Sequence, residues 1–230
     1  MNSSMPRRSI WKFAAFVFTL AVCAISWGQS QPTASPSVSF TLDFPGSAPA
    51  HYGITVSADG HASYISDGST TGAASSDQPY TADFTVSQQT ANRIFELAKQ
   101  ANYFQGELNA KKKNIAFTGD KTVVYQDTQR QTMGRYNYSS IPSVQEVTSL
   151  FENLSATLEF GHRLAYEYQY QKLALDQETK AMEDVANRGQ LVELGVIAPI
   201  LRKIADDPSV INVTRARILR LLDHAGTAGK

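Results

Sequence analysis

The sequence predicts an α+β fold: a two-layer, mostly antiparallel sheet with helices on one face, followed by an α-helical C-terminal extension. Three observations lead there. Period-two alternation recurs between Val38 and Tyr138, the spacing of half-buried strands. Asp59-Gly60 sits between two such runs and marks a hairpin. From Pro142 onward the apolar period changes to three and four residues, which is helical.

The chain begins with Arg7-Arg8-Ser9-Ile10-Trp11-Lys12 and an uncharged run from Phe13 to Gly28. A basic start, an apolar middle and small residues near a cut are the layout of an export signal. Its apolar core is shorter than the ~20 residues a spanning helix needs, which favours cleavage over an N-terminal anchor. Ser26 and Gly28 straddle Trp27, and the expected cut follows Gly28. The Arg-Arg pair resembles a twin-arginine signal, but Pro6 departs from that pattern, and the need for positive charge accounts for both arginines in an ordinary secretory signal. The expected location is therefore periplasmic or extracellular, in a bacterium, with membrane contact only through the signal.

Cleavage removes Cys23, the only cysteine, so disulfides, thiol nucleophiles and thiolate metal sites are excluded from the mature chain. It also removes three of 21 cations and none of 21 acids, leaving a mildly acidic protein. Nucleic-acid binding needs clustered cations, and Lys111-Lys112-Lys113 is the only basic run; no nucleic-acid partner is expected.

Residues 29–37 read as a polar, Pro-containing tether, residues 38–160 as the sheet domain and residues 161–230 as the helical extension. Val38, Phe40 and Leu42 alternate with polar residues in the first strand. A two-residue turn at Asp59-Gly60 would place Tyr52, Ile54, Val56 and Ile65 on one face and Tyr64 on the other. Asp67 to Pro79 is a Ser/Thr/Gly/Ala loop, and Tyr80–Val86 another strand. Ser87 caps a helix with the stripe Ala91, Ile94, Phe95, Ala98 and Ala101. A three-strand meander follows over 114–118, 121–127 and 130–138, with Ile115, Phe117, Val124 and Met133 expected on the core face and Tyr125, Tyr136 and Tyr138 on the opposite one. The helix from Pro142 carries Val144, Val147, Phe151, Leu154 and Leu158, and its pattern continues through Leu164, Tyr168, Leu175 and Met182. Such a helix would outrun the sheet, so a break near Gly161 or a projecting arm is expected. Two more helices flank Asp206-Asp207-Pro208, the second carrying Val213, Ala216, Leu219, Leu221 and Leu222 after a cap at Ser209.

No catalytic constellation emerges. His51, His61, His162 and His224 lack metal-ligand spacing and read as surface residues. Gly-x-Ser-x-Gly, Gly-x-Gly-x-x-Gly and phosphate-loop motifs are absent. Neither a metal nor a cofactor is implied. Tyrosines remain, since they combine contact area with a polar tip: Tyr125, Tyr136 and Tyr138 on the sheet, Tyr166 and Tyr170 on the helix, are the candidate binding residues. The expected function is a non-catalytic protein- or peptide-binding module of the envelope. The competing readings are a hydrolase with a dispersed carboxylate/His site, drawn from Asp59, Asp67, Asp77, Asp83 and His51, and a purely structural envelope subunit.

The hairpin from Tyr52-Gly53-Ile54-Thr55-Val56 through Asp59-Gly60 to Tyr64, with the strand, helix and meander after it, resembles uncharacterised exported bacterial domains of unknown function. The resemblance covers Val38 to Leu158 and implies an exported compartment and an α+β fold, and it supplies no catalytic residues to carry over.

Overall fold

The computed structural model describes residues 35–67, 79–111 and 113–227, with side chains up to residue 223. The signal segment, most of the tether, Asp77 and nearly all of the 67–79 loop lie outside the described residues.

Among the described residues, six strands form one antiparallel sheet: β1 (Ser37–Asp43), β2 (His51–Ser57), β3 (His61–Ser66), β4 (Tyr80–Thr85), β5 (Asp120–Gln126) and β6 (Gln131–Tyr136). Their spatial order is β4-β3-β2-β1-β5-β6. Two helices cover one face, α1 (Gln88–Gln100) and the first half of α2 (Pro142–Tyr170). The chain ends in α3 (Leu175–Asn187), α4 (Ala198–Asp206) and α5 (Asn212–Thr227). Among the described residues, no helix is long and apolar enough to cross a membrane.

The alternation in β1 works as the sequence predicts. Val38, Phe40 and Leu42 point inward, and Phe40 stacks on Phe151 of α2 with ring centroids 5.4 Å apart. The β2–β3 hairpin differs by one residue. Val56 pairs with Ala62 and Ile54 with Tyr64, so the loop holds three residues, Ala58, Asp59 and Gly60. Only Gly60 takes a positive φ there, 89°, and its N–H donates to Ser57 O at 2.9 Å, the pattern of a three-residue hairpin with glycine in the left-handed position. Because side chains alternate with period two, this slip reverses the faces of β3. Tyr64 is buried and Ile65 is half exposed.

A second reversal concerns β5 and β6. Their two-residue turn at Thr128-Gln129 forms as expected, with Val124 opposite Met133, and residues 114–118 form no strand. Yet the tyrosine face is the core face. Val123, Tyr125 and Tyr136 are buried, while Met133 and Phe117 are exposed. Gly134 shares the inner face, and a Cβ there would lie 2.2 Å from Leu108, so the connection after α1 packs directly on β6. The outward positions of this pair include Thr122, Gln126, Gln131 and Arg135, whose polarity outweighs Val124 and Met133.

The helix from Pro142 does not break at Gly161. It runs on to Tyr170 and stops at the turn before α3. Gly161 is instead a point of close approach: a Cβ there would lie 2.4 Å from Cγ2 of Ile197. Thus α2 belongs to two layers. Residues up to Leu158 pack on the sheet with α1, and Phe160 and Leu164 pack with Leu175, Met182, Leu201, Ile204, Ile218 and Leu221 of the later helices. The segment before α4 docks back on the sheet layer: Thr157 Oγ1 donates to Val192 O at 2.8 Å, and Glu193 accepts from Ser87 Oγ at 2.6 Å and from Thr90. In α5 the inward residues are Thr214, Arg217, Ile218 and Leu221, whereas Val213, Ala216 and Leu219 face out. Arg217 turns the helix that way, donating to Asp176 Oδ1 (2.8 Å), Thr179 Oγ1 (3.0 Å) and Glu183 Oε2 (3.2 Å) of α3. Ser209 lies in the turn before α5 rather than at its cap.

Candidate functional site

The five candidate tyrosines separate into different environments. Tyr125 is buried, 4.7 Å from the Tyr103 ring and edge-on to Phe95, and its hydroxyl donates to Asp127 at 3.1 Å. Tyr136 is buried with its hydroxyl 2.6 Å from Thr148 Oγ1 of α2, and burial raises its pKa, with the Thr148 hydroxyl opposing. These two are core residues whose polar tips are satisfied by neighbours, not an open tyrosine face. Tyr138 is at the margin, accepting from Gln145 Nε2 at 2.8 Å. Tyr166 and Tyr170 are one turn apart on α2 with rings 4.9 Å apart, and Tyr170 is 64% exposed.

Between sheet and α2 lies a polar seam that sequence reading missed. Glu159 is buried, and its Oε1 accepts from Tyr64 (2.7 Å) and from Ser66 Oγ (2.8 Å). Ser155, one turn earlier, is 3.0 Å from the Tyr64 hydroxyl. Glu159 Oε2 has no partner among the described residues. Burial and then the Glu159 charge raise the Tyr64 hydroxyl strongly, and the same two causes push Tyr80 up to about 12. Tyr80 stacks on His162 at 4.1 Å, so His162 is half-buried rather than a surface residue, and burial lowers its pKa. Two turns before Glu159 on α2, burial raises Glu152 against the pull of Lys121, whose ammonium donates to Thr118 O (2.8 Å) and Asn137 O (3.2 Å). The signal was available: Ser155 and Glu159 fall beside Phe151, Leu154 and Leu158 on the apolar stripe. A carboxylate held by two hydroxyl donors ties α2 to β3 over a long sequence separation.

The acids and histidines of the hydrolase reading are dispersed. His61 and Asp83 line a shallow concavity of about 430 Å³ on the open face of the sheet, with Thr55, Ser57, Ser63 and Thr85. The His51 ring pairs with Asp43, and the His51 backbone N–H donates to Asp67 Oδ2 at 3.1 Å, at the other end of the strands. Among the described residues, no group of three or more His, Cys, Asp or Glu side chains is placed to hold a metal ion.

Among the described residues, Leu173 and Tyr170 at the helical end are the most exposed large hydrophobic side chains. Lys172 Nζ bridges Asp207 Oδ2 and Ser209 Oγ, both at 2.7 Å, and Tyr168 donates to the same Asp207 oxygen at 2.9 Å. Asp207 is held far below the usual carboxylate range, first by Lys172 and then by Ser209. This bridge sets the α2–α3 turn beside the α4–α5 turn. Tyr170 and Leu173 flank Lys172, and Ile211 and Val213 follow Ser209. Their exposures are 64%, 87%, 47% and 51%. Such side chains scattered singly are ordinary, and these four lie next to residues that the bridge joins.

No protein-family model matches the chain, and no curated protein matches it.

Proposed function

We propose that this is an exported, non-catalytic protein-binding module of the bacterial envelope that contacts its partner through the corner carrying Tyr170, Leu173 and Ile211. One observation carries the reading: large apolar side chains, Leu173 foremost, stand exposed where an ion-pair bridge fixes two helical turns side by side. An apolar knob on a braced turn presents its contact area with little ordering cost on binding. The export layout of the first 28 residues and the resemblance to uncharacterised exported domains support the envelope location. Tyr125 and Tyr136 take no part in this surface, because they are enclosed by the chain's own helices and connections.

Paired captures from envelope extract test it, one with the mature protein and one with a Tyr170→Ala/Leu173→Asp variant. Both positions are exposed, so the variant is expected to fold with an unchanged circular-dichroism melt. The reading predicts captured proteins that the variant loses by tenfold or more. Identical capture profiles for the two baits would overturn it.

A further inference from the structure

The last turns of α2 hold a carboxylate that neither the sheet layer nor the corner bridge uses. Glu167 has a buried Oε2 with no hydrogen-bond partner among the described residues. Beside it, Arg163 of α2 donates to Glu178 of α3 at 2.6 Å, both side chains largely enclosed, 18% and 17% exposed. Two acids from two helices thus lie within electrostatic reach of one guanidinium, which donates to Glu178. Immediately beyond Glu167 the chain turns from α2 into α3 through Gln171–Ala174, the turn that carries Leu173.

We propose that the α2–α3 junction is a proton-operated clasp: with Glu167 neutral, Arg163 holds Glu178 and α3 stays docked, and with Glu167 ionised the packing of α3 on α2 loosens while the Lys172 bridge still holds the corner turn. The physical cause is the cost of an uncompensated carboxylate oxygen out of water beside a second carboxylate. Burial, and then the charge of Glu178, push Glu167 from 4.5 up to about 7, with Arg163 opposing. The charged groups that reach it are Arg163 from its own helix and Glu178 from α3. On α4, Lys203 lies over the ring of Tyr168.

The sign follows from linkage. A group whose pKa is raised in the closed state stabilises that state at low pH, and the contribution is lost as pH rises. Opening therefore becomes about tenfold easier per pH unit between roughly 4.5 and 7, then levels off. The clasp is measured without any partner.

Amide hydrogen exchange of the mature protein at pH 5 and pH 8, corrected for intrinsic rates, provides the test. Protection of 175–187 should fall by tenfold or more at pH 8 while α1 stays protected, and Glu167→Gln should hold the high protection at both values. Unchanged wild-type protection, or the same fall in Glu167→Gln, would overturn the clasp. Carboxyl NMR titration of the wild type gives a readout independent of the variant's folding: a Glu167 midpoint near 7 supports the clasp, and one near 4.5 sinks it. Loss of partner capture in the Tyr170/Leu173 variant is read separately, so either idea can fail alone.

Discussion

Gly161 shows how a residue can be read correctly as unusual and wrongly as a break. Glycine weakens a helix interior by about 1 kcal/mol relative to alanine, so a bend there was a reasonable expectation. The helix instead runs straight through, and the missing side chain makes room for Ile197. Gly161→Ala should therefore destabilise the protein by about 1–2 kcal/mol despite its better helix propensity, because overlap with Ile197 costs more than propensity returns. Urea denaturation would measure this, and the same substitution should cost less in an Ile197→Ala background, which removes the Cγ2 that the new methyl would meet. A stabilised Gly161→Ala would mean that Ile197 does not press on α2. Glu159 taught the complementary lesson. Its place on the apolar stripe was visible, but its partners Tyr64 and Ser66 became visible only once the β3 register was known, since the alternative register turns both outward.

At the scale of elements, periodicity read well and handedness of face read poorly. The stripe Val144, Val147, Phe151, Leu154 and Leu158 lies in the core, as do Ala91, Ile94 and Ala98 of α1 and Ala101 at its C-cap. The β5–β6 turn also formed with its expected register. What failed was deciding which side of a strand pair is inside, because Tyr125 and Tyr136 can bury their rings if their hydroxyls find Asp127 and Thr148. Asp59-Gly60 failed differently, since the same dipeptide serves a two-residue and a three-residue loop, and one residue inverts β3. The start of α1 has a further partner that no local motif announces. Glu193 sits in a left-handed backbone conformation (φ 54°) and accepts from Ser87 and Thr90 at the cap of α1. Replacing it with alanine should cost about 1 kcal/mol, the usual scale of a lost cap. Glu193→Gly should cost less, because glycine relieves the positive φ while losing the same acceptor. Thermal melts of the two variants compare them directly. A larger loss for glycine than for alanine would contradict this account of the residue.

Across the whole molecule, α2 is the shared member. Its first half closes the sheet layer through Phe151, Leu154 and Leu158, and its second half closes the helical layer through Phe160 and Leu164. The C-terminal helices are thereby joined to the sheet through a common helix, with Gly161–Ile197 and Glu193–Ser87 as further ties. The change from strand to helical period at Pro142 made this layout legible in outline. Its exposed surfaces were not legible, because burial depends on which side each element turns to its neighbours. Tyr166 and Tyr170 were identified with the right helix, but Leu173 and Ile211, which carry much of the corner, have no sequence signature apart from lying at turns. The most direct test of that corner is site-specific photo-crosslinking in the native envelope, with the photoreactive residue at 170 or 173 and, for comparison, at 55 or 133 on the open sheet face. Discrete crosslinked adducts at 170 and 173, and none at 55 or 133, are the predicted result. Adducts confined to the sheet face would contradict the account.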